Sequence, residues 1–331
     1  MNLLTHYRYT LLAIATVLLL PVMLSSGSLA TEVLIFALAS LGCNLLLGYT
    51  GLMSFGQGIF LGLGSYTAGL SLLHMRVPLL VALLAAMVVG AVAAAAVGWL
   101  SIRRRGIYFA LLTLALGQMF YFLAYTLKDI TGGDNGLLNI PRPQLSVFNT
   151  TLLPTATQWQ YYGFVALVFV VAFTLIQRVA DSVLGRTLLA IRDNETRAAA
   201  IGYNVKLFKL IAFTISGAIT GLAGALYAIL IGVAPLSSIE YQASESILIM
   251  TVIGGTGNLF ASVLGAGLYV LAGDWLSTLW PRWLMLLGIL LIVVSLYMQK
   301  GLWGLGAQLI DRLKPRRAPR DPSAVKRKQN P

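Results

Sequence analysis

The chain has 331 residues, 58% hydrophobic and 10% charged, with 23 Lys and Arg against 11 Asp and Glu and a net charge of +12. An average soluble domain is about one-quarter charged, so a water-soluble globule is excluded and most of the chain must face lipid. The positive charge invites a nucleic-acid reading, but the basic residues lie between apolar runs rather than along a folded face, so no nucleic-acid partner is expected.

A bilayer core of about 30 Å takes about 20 apolar residues per helix. That ruler marks ten spans, near 9–25, 29–48, 52–74, 77–100, 106–127, 161–179, 209–232, 240–257, 258–279 and 283–299. The expected fold class is therefore all-α, a polytopic membrane bundle of about ten transmembrane helices. Arg8, Pro21 and Ser28-Leu29-Ala30 give the first run a rival reading as a cleavable signal peptide, and cleavage would leave nine spans. Residues 1–299 form the expected transmembrane domain, with an outer loop near 128–160 and an inner loop near 180–208. Residues 300–331 read as a basic tail, largely disordered, with Pro315, Pro319 and Pro322 among its charges.

If the N-terminus starts inside, the inner segments hold 19 Lys and Arg and the outer segments four, namely Arg76, Lys128, Arg142 and Arg282. Basic residues are retained on the cytoplasmic side during insertion, so both termini are expected there. Anionic membrane lipid and a peripheral protein are the natural counter-charges.

Between Gly48 and Tyr66 the sequence carries six glycines in nineteen residues, together with Thr50, Ser54, Gln57 and Ser65. One reading is close helix packing through Gly58 and Gly62 at GxxxG spacing. The other adds a pathway, because unwound backbone at membrane depth is tolerated where it is buried in protein or lines a cavity. Gly217, Gly221 and Gly224 fall on one helical face and read as packing. Thr256-Gly257 echoes Thr50-Gly51, and Gly265, Gly267 and Tyr269 echo Gly62, Gly64 and Tyr66, a faint internal repeat.

No ionisable residue falls near the middle of a span, whereas proton and sodium relays usually place one there. Glu245 and Asp274 lie close to outer ends, where snorkelling explains them. Paired carboxylates, a nucleophile–base set and a phosphate-binding loop are also missing, so the chain is expected to be no enzyme and to use no cofactor. With Cys43 alone and two histidines, His6 and His74, it has no metal-ligand cluster and no intrachain disulfide.

The inner loop from Leu184 to Gly202 reads as two short helices with a corner at Asp193-Asn194, Asn194 as N-cap and Gly202 as C-terminal cap. Asp193 and Arg197 stand four apart in the favourable order, and Leu188, Ile191 and Ile201 offer apolar anchors for a partner. An interfacial helix lying on lipid is the alternative.

Several stretches together resemble the permease subunits of bacterial ATP-binding-cassette importers for branched-chain amino acids, particularly the longer of two paired subunits. They are residues 44–66, 105–121, 131–141, 184–204, 254–266 and 300–305. The resemblance implies a second permease subunit, two cytoplasmic ATPases that hydrolyse ATP, and a periplasmic substrate-binding protein. It carries ATPase coupling onto Gly185, Arg186, Arg192, Asn194, Glu195, Ala198 and Gly202, beside Asp193 and Arg197 at the corner. It places the Gly-rich membrane segment at Gly51, Ser54, Gly56, Gln57, Gly62, Gly64 and Tyr66. Many relatives have histidine where this chain has Gln57, which removes a titratable group. Thr50, Thr113 and Gln118 complete the candidate substrate pathway. Related permeases of urea and short amides, and a self-contained secondary transporter, are the alternative functions.

Overall fold

Runs of Leu, Ala and Val of span length fold as helices because lipid offers no partner to an unpaired backbone group. The computed structural model describes residues 3–143, 145–147, 150–153 and 157–279, together with 282, 284–286, 288, 289, 292 and 301–304. The helices are α1 (Leu3–Met23), α2 (Gly27–Thr50), α3 (Gln57–Leu73), α4 (Leu79–Ser101), α5 (Ile107–Thr126), the short α6 (Lys128–Thr131) and α7 (Gln158–Asp181). They continue with α8 (Val183–Asp193), α9 (Glu195–Ala200), α10 (Val205–Ile231), α11 (Tyr241–Gly254) and α12 (Leu259–Leu279). A small antiparallel hairpin pairs β1 (Leu145–Val147) with β2 (Thr150–Leu153) in the loop before α7.

Six of these helices, α2, α4, α5, α7, α10 and α12, are long and apolar enough to cross a membrane. The third and eighth expected spans are shorter than the sequence suggests: α3 has 17 residues and α11 has 14. The cause is local. Gly51 (φ +72°) ends α2, leaving residues 51–56 unwound, and Gly255 (φ +119°) and Gly257 (φ +91°) unwind the turn after α11. Most of the tenth expected span, and the tail from 305, lie outside the described residues.

Helix ends follow local chemistry. Ser26 caps α2, Thr157 and Gln160 form a reciprocal capping box at the start of α7, and left-handed Gly232 closes α10. α10 is the central post, flanked by α2, α3 and α4. Lipid tails supply no hydrophobic drive between helices, so close approach and interhelical hydrogen bonds must hold them. Gly217 and Gly221 meet Gly90, Ala86 and Ala94 on α4, while Gly224 rests on the Leu61 backbone of α3. A Cβ built at Gly64 would lie 2.0 Å from the Gly221 carbonyl oxygen. The packing reading of Gly217, Gly221 and Gly224 therefore holds, whereas Gly58 and Gly62 pack on Ile239 and Glu240 just before α11 and on Ser244 within it.

The segment 131–141 is a clasp on the C-terminal end of α10. Leu137 and Ala234 exchange backbone hydrogen bonds of 3.0 and 2.9 Å, and Ile140 N donates to Gly232 O at 2.9 Å. Arg142 donates to the carbonyls of Ile229 and Leu230 at the α10 terminus, where a cation complements the helix dipole.

Candidate coupling corner and pathway segment

The two unwound glycine segments meet. Asn44 on α2 donates to Asn258 O and Ser262 Oγ, each at 2.8 Å, and accepts from Gly257 N at 3.0 Å. A Cβ at Gly48 would lie 2.5 Å from Gly257 N, so the α2 terminus and the α11–α12 turn touch through backbone. Gly301, at φ +63°, lies against Gly255, and Trp303 stacks edge-on with Phe260 at 5.6 Å. Segments far apart in the chain thus converge at one end of the bundle.

The expected helix–corner–helix is present beside this junction. Ser182 caps α8, Asn194 Oδ1 accepts from Arg197 N at 2.9 Å to start α9, and Gly202, at φ +94°, donates to Ala199 O at 3.0 Å. Gly185 is required by the α7–α8 turn, since a Cβ there would lie 2.0 Å from Ala180 O.

Side-chain directions differ from expectation. Leu188 and Ile191 are buried against the bundle; of the three anchors only Ile201 is exposed, at 69%. Asp193 and Arg197 form no ion pair, because Asn194 leaves helical φ/ψ between them and the four-residue register does not exist. Arg192 turns inward, donating to Gly48 O and lying 3.3 Å from the Cβ position of Gly257. Glu195 also turns inward, pairing with Lys209 Nζ of α10 at 2.9 Å and with Arg105 of the α4–α5 turn at 3.2 Å. Ala198 is buried with Ile191 and Val205. Arg186, Asp193, Thr196 and Arg197 remain on the outside of the corner.

The unwound segment 51–56 is held by hydrogen bonds at its C-terminal half. Ser54 Oγ accepts from Gly56 N at 3.2 Å, Thr113 Oγ1 on α5 accepts from Phe55 N at 3.1 Å, and Ser244 Oγ on α11 accepts from Gly58 N at 2.7 Å. Gln57 is fully buried, its Nε2 donating to Ser216 Oγ at 3.1 Å and its Oε1 accepting from Thr220 Oγ1 at 2.9 Å, both on α10. Ser216 Oγ in turn donates to Gly42 O of α2 at 2.7 Å. Thr50 is spent on its own helix, donating to Leu46 O at 2.6 Å. Gly51 is the exposed α2 cap, and Gly62 abuts Ile239.

Tyr66 is buried with no hydrogen-bond partner for its hydroxyl, while Gln118 is half-buried on α5. The structure gathers Ser54, Gly56 and Thr113 at the unwound segment, ties the adjacent Gln57 to α10, and leaves Gln118 and Tyr66 apart from both sets of hydrogen bonds. Sequence reading missed Lys209, Arg105, Asn44, Ser216 and Thr220. Lys209 carried a usable signal, an ammonium at the first position of an apolar run.

These features define a multi-pass helical membrane protein whose breaks are tied to a surface corner. A family model for the permease component of branched-chain amino acid transport systems matches residues 26–295. The chain belongs to that family, and is a permease component of an ATP-binding-cassette import system. It is 31% identical over 302 residues to the high-affinity branched-chain amino acid transport system permease protein LivM of Salmonella typhimurium, covering 85% of this chain and 71% of that protein. The probable branched-chain permease LivM of Methanocaldococcus jannaschii is 22% identical over 81% of this chain and 90% of its own. An autoinducer 2 import system permease, LsrC of Photorhabdus laumondii, is 28% identical over 72% and 71% respectively. No solved structure matches the chain.

Proposed function

We propose that the chain is one of two paired permease subunits of an importer for branched-chain, hydrophobic amino acids in the bacterial inner membrane. Two cytoplasmic ATPases drive it and a periplasmic binding protein supplies its substrate. The two permeases named LivM support the substrate class. The 19 to 4 division of basic residues supports ten spans with both termini cytoplasmic, residues 1–299 in the membrane and 300–331 as a cytoplasmic tail.

The observation that carries the reading is the double attachment of the α8–α9 corner. Arg192 ties it to the end of α2 and Glu195 ties it to α10, while its other face stays open to a partner. Motion delivered to that open face by an ATPase would reach two helices at once. From there it meets the knot at Gln57, which bridges α3 to α10, and Ser216, which bridges α10 to α2. Such a knot has discrete shut and parted arrangements, the kind of bistable element that alternating access requires. In the shut arrangement Ser54 and Thr113 are engaged by the backbone of the unwound segment and Gln57 by Ser216 and Thr220 of α10. When they part, their hydroxyls and amide, with the unwound backbone near Gly51 and Gly56 and the amide of Gln118, replace the hydration of a zwitterionic head group at small charge cost. Gly62, Gly64 and Tyr66 then shape the α3 wall.

Proteoliposomes holding both permeases and both ATPases, with binding protein outside, test this. ATP-dependent leucine uptake is expected, and Arg192→Ala is expected to keep most ATP hydrolysis while losing most uptake. Gradient-driven uptake by this chain without ATPases would contradict the reading.

A further inference from the structure

Where α4 ends and α10 begins, an open cleft of about 480 Å³ is lined on one side by Trp99 and Arg103 and on the other by Asn204, Lys206, Leu207 and Leu210. Its charge is unbalanced. Among the described residues neither Arg103 nor Lys206 joins an ion pair, and Glu195, the carboxylate bonded to α10, is taken by Lys209 and Arg105. The Arg103 guanidinium is held in place by the Trp99 indole, 4.5 Å beneath it, a geometry that keeps a cation oriented while leaving its N–H groups free. The wall below is apolar and continues onto exposed Leu100, Leu207 and Trp99 at the ends of two spans. Indole at that depth marks the boundary between head groups and acyl chains.

We propose that this cleft is a seat for one anionic phospholipid, its phosphodiester between Arg103 and Lys206 and an acyl chain along Leu207 and Leu210. The Asn204 side-chain oxygen accepts from Leu207 N at 3.3 Å, which leaves its amide NH₂ to face the glycerol region. A soluble anion would use the two cations but not the apolar wall, so the combination favours a lipid. The inference rests on membrane insertion alone and not on the coupling role of α8 and α9.

Native mass spectrometry of the purified full chain, from nanodiscs of phosphatidylglycerol mixed with phosphatidylcholine, reads the bound lipid directly. Wild type is expected to retain phosphatidylglycerol selectively, with and without its ATPases. Arg103→Ala with Lys206→Ala is expected to lower retention about tenfold, since each basic group near an anionic surface contributes appreciably. The charge-keeping pair Arg103→Lys with Lys206→Arg should stay within about threefold of wild type. Arg104→Ala removes one positive charge from the turn that carries Arg103, outside the cleft, and should leave retention unchanged. Equal loss in Arg104→Ala, undiminished retention in the double alanine variant, displacement by inorganic phosphate, or loss of the lipid when the ATPases bind would each overturn the proposal.

Discussion

Lys209 brings its ammonium to a position where the side chain is only 7% exposed, and Glu195, 27% exposed, is its single carboxylate partner among the described residues. The two members of this pair are not equivalent. Glu195 has Arg105 in reserve, so losing Lys209 leaves the carboxylate compensated, whereas losing Glu195 strands a desolvated ammonium. Exposed pairs contribute about 0–1 kcal/mol and breaking a buried one costs about 3–5 kcal/mol, so this half-buried pair falls between them. Glu195→Gln is expected to destabilise the purified protein by about 2 kcal/mol, and Lys209→Met by less. Combining the two should recover part of the loss. Denaturant-induced unfolding of the three variants checks the order; a Lys209→Met loss equal to that of Glu195→Gln would show that the pair is not what holds the corner. The family resemblance marks Glu195 as a candidate coupling residue, but its direction was not legible. Its partner lies fourteen residues on, across a helix corner whose angle no local pattern encodes.

At the scale of elements, glycine is informative because its meaning depends on what its missing Cβ would meet. The helical faces of Gly58 and Gly62, and of Gly217, Gly221 and Gly224, were legible because spacing alone puts them on one side of a helix. What they meet was not legible: Ile239 and Ser244 for the first pair, and Gly90 of α4 and Leu61 of α3 for the second set, are brought there by tertiary packing. Gly64→Ala places a methyl group 2.0 Å from the Gly221 carbonyl and must push α3 from α10, so a loss of several kcal/mol in stability and most transport is expected. Exposed Gly163 on α7 meets nothing within 4 Å. Gly163→Ala is accordingly expected to be neutral or to stabilise by up to about 1 kcal/mol. Parallel thermal unfolding and uptake measurements on the two variants test the contrast. The breaks at Gly51, Gly255 and Gly257 explain why hydropathy drew α3 and α11 too long: an apolar residue such as Leu52 counts toward a span whether or not its backbone is helical. The Asp193–Arg197 pairing failed for a related reason. The spacing rule assumes one continuous helix, and the Asn194 cap that the sequence announces ends it.

For the molecule as a whole, composition settled the solvent, since a chain 10% charged cannot clothe itself against water. The convergence of the α2 end, the α11–α12 turn, Gly301 and Arg192 at one pole was not visible along the chain, because each is a short backbone contact between distant segments. That pole is also where α8 and α9 hang, so unwound joints of the bundle and its exposed corner share one location. The central claim is that force enters there. In a chain with Cys43→Ala, a cysteine at exposed Thr196 is the direct probe, cross-linked to the ATPase subunit in the assembled transporter during turnover. The account predicts efficient cross-linking whose yield changes with bound nucleotide, and loss of uptake once the link is made. No cross-link from Thr196, or a link that leaves uptake undiminished, would contradict it.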